Sequence, residues 1–314
     1  MNDYRPVLAD ESLEHDLRCL VRLAIAEDLA DSLDWTTVCL IEEDRRGSCE
    51  IVPRVGGIVA GLAVLPWIVD EFDADLGSQS LAGDGEVMEA GRPIARLEGN
   101  VRDLLTAERT ILNVLSRLCG VASLTRRYVD RMGDHPARLY DTRKTTPGWR
   151  RLEKYAVRCG GGHNHRTGLY DGFLIKDNHL AFFAAGLGDG SDRDVTARTA
   201  TERVSSWRGG RSERLTAPEI VEVEVDSLGQ LDAVLAAGPD IILVDNFSTD
   251  EIREAVRRRD LRNPRVELEA SGNITLDTIA EVAATGVERI SCGALTHQAT
   301  WLDLGLDWSD RSAS

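Results

Sequence analysis

Long apolar runs are missing from this sequence of 314 residues. The longest apolar stretch, residues 58–69, is interrupted by Gly61 and Pro66, and the run at 241–244 has the length of a strand. Neither could span a bilayer, which takes about 20 apolar residues in a helix. The acidic, polar residues 1–14 are also unlike a secretory signal or an arginine-rich transit peptide. We therefore expect a cytoplasmic protein without membrane contact.

Paired cysteines are missing as well. The chain has six, far apart and without a CxxC motif: Cys19, Cys39, Cys49, Cys119, Cys159 and Cys292. This spacing favours buried free thiols in a reducing compartment over a disulfide framework or a zinc site.

Lysine is the scarcest charged residue, and its distribution is uneven. The net charge is −16, which argues against nucleic acid as a partner because phosphate binding needs clustered cations. Residues 141–179, however, contain eight Lys or Arg and four Asp or Glu, and all three lysines of the chain, Lys144, Lys154 and Lys176, lie there. A positive segment in an acidic protein concentrates anions. It predicts a small polyanionic substrate.

The pattern of the chain changes near residue 137. Before it, apolar residues recur at helical spacing over 17–29, short strands and turns fill 47–99, and 106–132 predicts one long helix or two joined helices. After it, strand, loop and helix alternate, which predicts a parallel sheet. Its six candidate strands are ARLYDT, GFLIKD, IVEVEVD, DIILVDN, RVELEAS and RISCG. We favour a β/α barrel, with a doubly wound open sheet as the alternative.

Small or charged residues end nearly every candidate strand. They are Asp141, Lys176, Glu224, Asp245, Ser271 and Gly293. The carboxyl edge of the strands is where barrel enzymes build their sites. Glu224 and Asp245 could hold sugar hydroxyls or a substrate-borne metal, or could simply pair with Arg143 or Arg166. Two loops of small residues suggest phosphate seats, that is, loops whose backbone N–H groups could bind a phosphate. One contains Ser271, Gly272 and Asn273 and precedes a helix expected at Thr275, and the other contains Gly293.

The segment after the first candidate strand is richest in donors. Arg143 and Lys144 combine a forked donor with a point charge, a pair suited to carboxylate or phosphate. The glycines at 160–162 would let the backbone approach a ligand. The donors that come next are His163, His165 and Arg166.

Two other chemistries remain open for this segment. His163, His165 and His179 could ligate a metal, although the cations Arg166 and Lys176 would repel it. Lys176 at a barrel strand end could form a Schiff base with a carbonyl substrate. The crowd of cations favours an anion that is hydrogen-bonded and not covalently attached.

Several motifs together resemble those of the quinolinate phosphoribosyltransferase family. They are DTRKTTPGWRRLEKYAVRCGGGHNHR, LIKDNH, VEVEVDS, LVDNFS, EASGNIT and SCGALTH, with AEDLADSLDWTT and TAERTILNVLSRLCGVA before them. The resemblance implies synthesis of nicotinate mononucleotide, pyrophosphate and CO2 from quinolinate and phosphoribosyl pyrophosphate (PRPP), with Mg²⁺, in de novo NAD biosynthesis. It also implies an N-terminal α/β sandwich domain followed by an incomplete parallel β/α barrel, assembled as a homodimer or as a hexamer built from dimers.

The same resemblance assigns site residues. Arg143, Lys144, His165 and Arg166 would hold quinolinate and the phosphoribosyl side, and Arg109 would reach in from the neighbouring subunit. Lys176 would face ribose and pyrophosphate, with Glu224 and Asp245 on ribose hydroxyls or Mg²⁺. Ser271, Gly272, Asn273 and Gly293 would bind phosphate. Among these, Lys144, Lys176, Glu224 and Asp245 are the expected catalytic residues.

We place the domains at residues 1–118 and 119–314, with a C-terminal tail packing back on the first. Residues 186–216 are polar and longer than the family pattern suggests. We expect them to form a surface insertion near the carboxyl edge of the strands.

Overall fold

The computed structural model describes residues 3–72, 75–187, 192–210 and 216–308, and its residues divide into two compact units. The barrel unit contains residues 3–5 with Tyr128–Arg143 and His163–Ala294. The sandwich unit contains Pro6–Arg127, Lys144–Gly162 and the chain from Leu295.

Helices and strands of the described residues are numbered in chain order. The helices are α1 (Glu11–Leu29), α2 (Trp35–Leu40), α3 (Leu65–Asp70), α4 (Val101–Met132), α5 (Arg150–Cys159), α6 (Asp177–Leu187), α7 (Arg193–Ser205), α8 (Leu228–Ala237), α9 (Thr249–Arg262), α10 (Ile279–Ala283) and α11 (Ala294–His297). The strands are β1 (Arg46–Pro53), β2 (Gly57–Ile58), β3 (Leu76–Ser80), β4 (Val87–Met88), β5 (Ala95–Asn100), β6 (Arg138–Tyr140), β7 (Phe173–Ile175), β8 (Val221–Val225), β9 (Ile241–Asp245), β10 (Glu267–Ser271), β11 (Arg289–Ser291) and β12 (Leu304–Trp308).

The barrel unit is built on a six-stranded parallel sheet in the order β6-β11-β10-β9-β8-β7. This is the circular order of a β/α barrel, in which each strand pairs with the next along the chain and the last pairs with the first. Only β6 and β7 are not paired with each other among the described residues. A doubly wound sheet would reverse its strand order at a switch point. The incomplete barrel is therefore confirmed, and the open-sheet alternative is wrong.

The sandwich unit has a four-stranded antiparallel sheet in the order β12-β1-β5-β3 and a two-stranded sheet of β2 and β4. Helix α1 buries Leu13, Leu17 and Val21, which recur every four residues on one face. Its first turn is capped by Asp10, whose side chain accepts from two backbone N–H groups. With this unit and the barrel, the predicted fold class is confirmed.

Residues 186–216 do not behave as one surface insertion. Helix α7 lies within them, buries Ala197 and Ala200, and packs against α8, so this part belongs to the barrel wall. The expectation is therefore wrong for α7. The buried residues of this helix are small, so its apolar face is not evident in a largely polar sequence. Of the rest of the predicted insertion, residues 188–191 and 211–215 lie outside the described residues.

The triple glycine at 160–162 serves packing. A Cβ on Gly160 would overlap the backbone oxygen of Ala122 and the side chain of Thr125 on α4, and a Cβ on Gly162 would meet Val157 and Thr125. Gly161 adopts a φ of +91°, a conformation that L side chains rarely accept. These glycines let α5 end close against α4, and the predicted approach of their backbone to a ligand is not needed to explain them.

Gly160→Ala is expected to destabilise the protein by about 1–3 kcal/mol, since backbone on a neighbouring helix must shift. Gly186→Ala is the matched control, because that glycine lies in α6 and an added Cβ meets nothing within 4 Å. Urea unfolding of both variants checks this prediction. Equal urea midpoints for the two variants would mean that the close contact of Gly160 with α4 does not contribute to stability.

The cysteines are all free. Cys49, Cys119 and Cys292 are buried as expected, but Cys19 and Cys39 are exposed on α1 and α2, so the prediction of buried thiols is wrong for these two. None of the helices in the described part of the chain combines the length and apolarity needed to cross a membrane.

Candidate functional site

The carboxyl edge of the barrel sheet brings together a cation and carboxylates. Lys176, directly after β7, places its Nζ 2.7 Å from Glu224 Oε2 near the end of β8. Asp245 ends the neighbouring strand β9. Glu224 therefore pairs with Lys176, and the alternative pairing with Arg143 or Arg166 is wrong. Parallel strands in register bring these ends to one edge.

Glu224 and Asp245 also line one cleft of the barrel unit. The other polar residues lining it are Asp177, Arg193, Thr196, Asp226 and Gln230. Arg193 is paired with Asp226 at 2.6 Å. Carboxylates thus outnumber cations in this cleft, which suits a sugar hydroxyl or a cation carried by a ligand.

The loops after β9 and β10 are locked to each other. Gly272 has a φ of +93°, and a Cβ there would overlap the side chain of Asn246. Asn273 Nδ2 donates to Asn246 Oδ1 at 3.0 Å, and the Asn246 N–H donates to the Ser271 carbonyl at 2.9 Å. Only glycine fits the crossing point. The backbone at 271–273 is therefore rigid, as a phosphate seat requires.

Helix α10 begins at Ile279, and a turn that starts at Thr275 leads into it. The side chains of Thr275 and Thr278 each accept the other's backbone N–H, as in a capping box, and the Thr275 carbonyl accepts the Ile279 N–H at 3.0 Å. The helix expected at Thr275 is therefore regular only from Ile279. Gly293, the other predicted seat, follows β11 and is half-buried.

Asp141 directly follows β6 and is hydrogen-bonded to a neighbouring loop of the chain. It is fully buried, and its two oxygens accept from Asn164 Nδ2 at 2.7 Å and from the His165 backbone N–H at 2.9 Å. A carboxylate that accepts from a loop in this way fixes that loop in one conformation. It positions the segment that carries His165 and Arg166.

His165 lies inside the barrel. Its Nε2 is 3.0 Å from Glu222 on β8 and 3.4 Å from Glu269 on β10. Arg166 is also buried and donates through Nη1 to the Gly172 carbonyl at 3.1 Å. Both predicted substrate ligands are thus held by the protein itself. Arg143, in contrast, is half-buried, and its buried Nε lacks a hydrogen-bond partner within the described structure.

Sequence reasoning missed the charged interior of this barrel. Arg289 on β11 is fully buried, pairs with Glu269 at 2.9 Å and lies over the Tyr140 ring at 3.7 Å. Tyr4 donates to Glu222 at 2.7 Å and stacks on His165 with ring centroids 4.7 Å apart. Barrel interiors are usually filled by branched apolar residues. Here ion pairs and aromatic rings fill the space.

The electrostatics of this interior follow from its pairs. Burial lowers the pKa of His165, but Glu222 and Glu269 outweigh it and raise the pKa to about 9. Burial raises the pKa of Glu269, yet His165 and Arg289 bring it down to about 2. The Arg166 backbone N–H lies 2.8 Å from His165 Nδ1 and favours the neutral ring. One neutral donor, however, is weaker than two carboxylates.

The three histidines that the sequence left open as metal ligands are not the group that the structure brings together. Within the described residues, the group whose ligand atoms lie within 4.8 Å of one another is His165, Glu222 and Glu269. Its carboxylates already accept from Tyr4 and Arg289. His179 Nδ1 instead accepts the Lys176 backbone N–H at 3.0 Å. A protonated His165 would neutralise part of the negative charge of Glu222 and Glu269.

His165→Gln is expected to remove part of the pH dependence of stability. The folded pKa of about 9 lies above the ordinary 6.5, so the cation stabilises the fold fully below that ordinary value and loses its effect as pH rises through the folded value. Relative to the variant, the wild type should lose on the order of 3 kcal/mol of unfolding free energy over this window. Urea unfolding at both ends of the window measures it, and parallel profiles would contradict the pairing.

Two predicted site residues belong to the sandwich unit. Lys144 is exposed at the start of the segment before α5. Arg109 is exposed on α4.

Barrel topology, together with a lysine, carboxylates and a small-residue turn at its carboxyl edge, defines an enzyme of the β/α-barrel class. Two family descriptions match the chain: "Quinolinate phosphoribosyl transferase, N-terminal domain" over residues 34–119 and "Quinolinate phosphoribosyl transferase, C-terminal domain" over residues 121–307. The chain belongs to the quinolinate phosphoribosyltransferase family.

Known relatives are similar to this chain over nearly its whole length. A nicotinate-nucleotide pyrophosphorylase (carboxylating) of Mycobacterium leprae is 43% identical over 293 residues, covering 92% of this chain and 96% of the relative. A probable enzyme of the same name from Bacillus subtilis is 40% identical, covering 93% of each chain. The solved nicotinate-nucleotide pyrophosphorylase of Francisella tularensis has a TM-score of 0.83 at 35% identity, covering 98% of this chain and 100% of that one.

Proposed function

We propose that this chain transfers the phosphoribosyl group of PRPP to quinolinate and releases CO2, giving nicotinate mononucleotide and pyrophosphate in de novo NAD biosynthesis. Family membership over residues 34–119 and 121–307 supports the reaction. The observation that carries the site is the Lys176–Glu224 pair at 2.7 Å beside Asp245. It puts a cation and carboxylates where a departing pyrophosphate and a positively charged ribose would need them.

Quinolinate carries two carboxylates, and the chain offers several cations for them. The half-buried Arg143 and the exposed Lys144 would bind them directly. His165 and Arg166 are buried in the network around Glu222. They would shape this side of the site from within.

The PRPP side would use the carboxyl edge of the barrel. Lys176 would contact the pyrophosphate, Glu224 and Asp245 the ribose hydroxyls, and Ser271, Gly272, Asn273 and Gly293 the 5-phosphate. The Asn246–Asn273 bond at 3.0 Å keeps this seat rigid. A preformed seat costs no reorganisation when the transition state forms.

In the reaction, the ring nitrogen of quinolinate bonds to the anomeric carbon while the bond to pyrophosphate breaks. Positive charge develops on the ribose, and Glu224 and Asp245 would stabilise it. Lys176 would donate a hydrogen bond to the departing pyrophosphate. Loss of CO2 then leaves an electron pair on the ring carbon beside the positive nitrogen, and a proton takes its place. Orientation of the reacting carboxylate by Arg143 and Lys144 is the main demand on the protein.

Mg²⁺ fits the donors of this edge. Glu224 and Asp245 line one cleft with Asp177 and Asp226, and Mg²⁺ is commonly held by one or two carboxylates together with substrate phosphates. Bound in this way, it would neutralise charge on the pyrophosphate.

A Schiff base on Lys176 is the competing mechanism. It needs an uncharged amine, which would give up the ion pair that Lys176 forms with Glu224 at 2.7 Å. The pair favours a role for Lys176 as a cation.

For the domains we propose residues 1–118 as the N-terminal sandwich domain and 119–314 as the catalytic barrel domain, whose tail packs back on the first domain. The pairing of β12 with β1 supports that tail. For the assembly we propose a homodimer, or a hexamer of dimers, with sites completed by Arg109 of the neighbouring subunit. Exposure of Arg109 on α4 supports this.

Product analysis tests the reaction. With PRPP, Mg²⁺ and carboxyl-labelled quinolinate, the enzyme should release CO2, pyrophosphate and nicotinate mononucleotide in equal amounts. Pyrophosphate release without CO2 would contradict the proposed function.

A further inference from the structure

We infer that Thr296, Arg117 and Glu153 are positioning residues for Lys144, which they hold through the backbone of residues 144–146. The inference rests on the proposed role of Lys144 as a ligand of the quinolinate carboxylate. All three side chains are at most one-tenth exposed and belong to the sandwich unit, as Lys144 does.

Thr296 holds the first residue of this segment. Its hydroxyl donates to the Lys144 carbonyl at 2.7 Å. Arg117 holds Thr296 in turn, because its Nη2 donates to the Thr296 carbonyl at 2.7 Å and its Nη1 to the Ala299 carbonyl at 2.8 Å. The short helix α11, which carries Thr296, is therefore fixed to α4.

Glu153 holds the other end of the segment. One carboxylate oxygen accepts from the Thr146 hydroxyl at 2.8 Å, and the other accepts from the Thr146 N–H at 3.2 Å. Arg117 neutralises this fully buried carboxylate, with Nη2 at 2.5 Å and Nε at 3.1 Å from Oε1. One guanidinium thus joins both contacts to the segment.

Lys144 is an exposed lysine on a fixed backbone. A lysine side chain is flexible but of limited length, so the region that its ammonium can reach is set by the position of the backbone that carries it. A satisfied buried polar network is rigid, and small displacements of a substrate-holding group are costly in catalysis. The three residues would keep the Lys144 ammonium within reach of the quinolinate carboxylate, although none of them touches the substrate.

Thr296→Val tests the inference, since it removes the hydroxyl and keeps the size of the side chain. Arg117 and Glu153 are unsuitable, because removal of one partner of a buried ion pair is strongly destabilising. We expect the KM for quinolinate to rise roughly tenfold in Thr296→Val while the KM for PRPP changes less than about twofold. Thr296→Ser, which keeps the hydroxyl, should restore the KM for quinolinate.

Thr201→Val is the matched control. Thr201 is as fully buried as Thr296, but its hydroxyl donates to Ala197 within its own helix. This variant should leave both KM values unchanged, whatever it does to Tm. If Thr296→Val lowers Tm and leaves the KM for quinolinate unchanged, or raises both KM values together, the inference is overturned.

Lys144→Ala separates this inference from the proposed function. If Lys144→Ala raises the KM for quinolinate and Thr296→Val does not, only the positioning role falls. If neither variant does so, the role of Lys144 falls, and the inference falls with it.

Discussion

Lys176→Met is expected to lower kcat by roughly 100- to 1000-fold, the usual effect of removing one donor that stabilises charge in a transition state. The variant keeps most of the apolar stem and removes the ammonium that lies 2.7 Å from Glu224. Glu224 would then lie without its cation beside the ribose site. Steady-state kinetics with saturating quinolinate and PRPP measure the effect.

Arg253→Met is the control for Lys176→Met. Arg253 forms an exposed ion pair with Asp250 on α9 at 2.7 Å, and such surface pairs contribute little. Its kcat should stay at the wild-type value. A fall of less than about threefold in Lys176→Met would be far below the effect of a lost charge-stabilising donor and would remove Lys176 from the catalytic residues.

Mixing two inactive variants should recover activity if sites are shared between subunits. Arg109→Ala and Lys144→Ala are each expected to be nearly inactive. If they are unfolded together and reassembled at random, half of the dimers are mixed, and each has one intact site under twofold symmetry. About a quarter of native activity should return. The assay is kcat per total subunit after reassembly.

A second mixture controls for the first. We assign Lys144 and Lys176 of each site to the same subunit, and Arg109 to its partner. A mixed dimer of Lys144→Ala and Lys176→Met therefore has one of the two substitutions in each site and should have no intact site. Recovery in neither mixture, with subunit exchange demonstrated, would mean that Arg109 does not complete the site of a partner.

Strand ends were the part of the site that the sequence predicted best. Lys176, Glu224, Asp245 and Ser271 lie at one edge of the barrel sheet, because parallel strands in register bring their carboxyl ends together. The location of these residues at the edge follows from the strand pattern alone. The ion pair between Glu224 and Lys176 does not follow from it, because it depends on the directions of side chains on adjacent strands.

The charged barrel interior was not predicted, although a signal existed. In VEVEV, Glu222 and Glu224 share one face of β8 because side chains alternate along a strand. Glu224 was recognised as an edge residue, and the same alternation places Glu222 one layer deeper. Tyr4 carried no such signal, because its contact with Glu222 joins residues 218 positions apart.

Helix boundaries and packing glycines were the weakest predictions. The reciprocal hydrogen bonds of Thr275 and Thr278 form a cap where the sequence predicts the helix start, but the regular part of α10 begins only at Ile279. The glycines at 160–162 match both a ligand loop and a close helix contact. Only the position of α4 beside them distinguishes the two.

Competition between quinolinate and nicotinate tests the central claim most directly. The enzyme receives equal concentrations of the two acids with limiting PRPP and Mg²⁺, and the label of each acid is followed into nicotinate mononucleotide. The two cations that we assign to the two carboxylates of quinolinate, Arg143 and Lys144, predict that the product derives almost entirely from quinolinate, with one CO2 released per nucleotide. Equal incorporation of nicotinate, without CO2, would contradict the account.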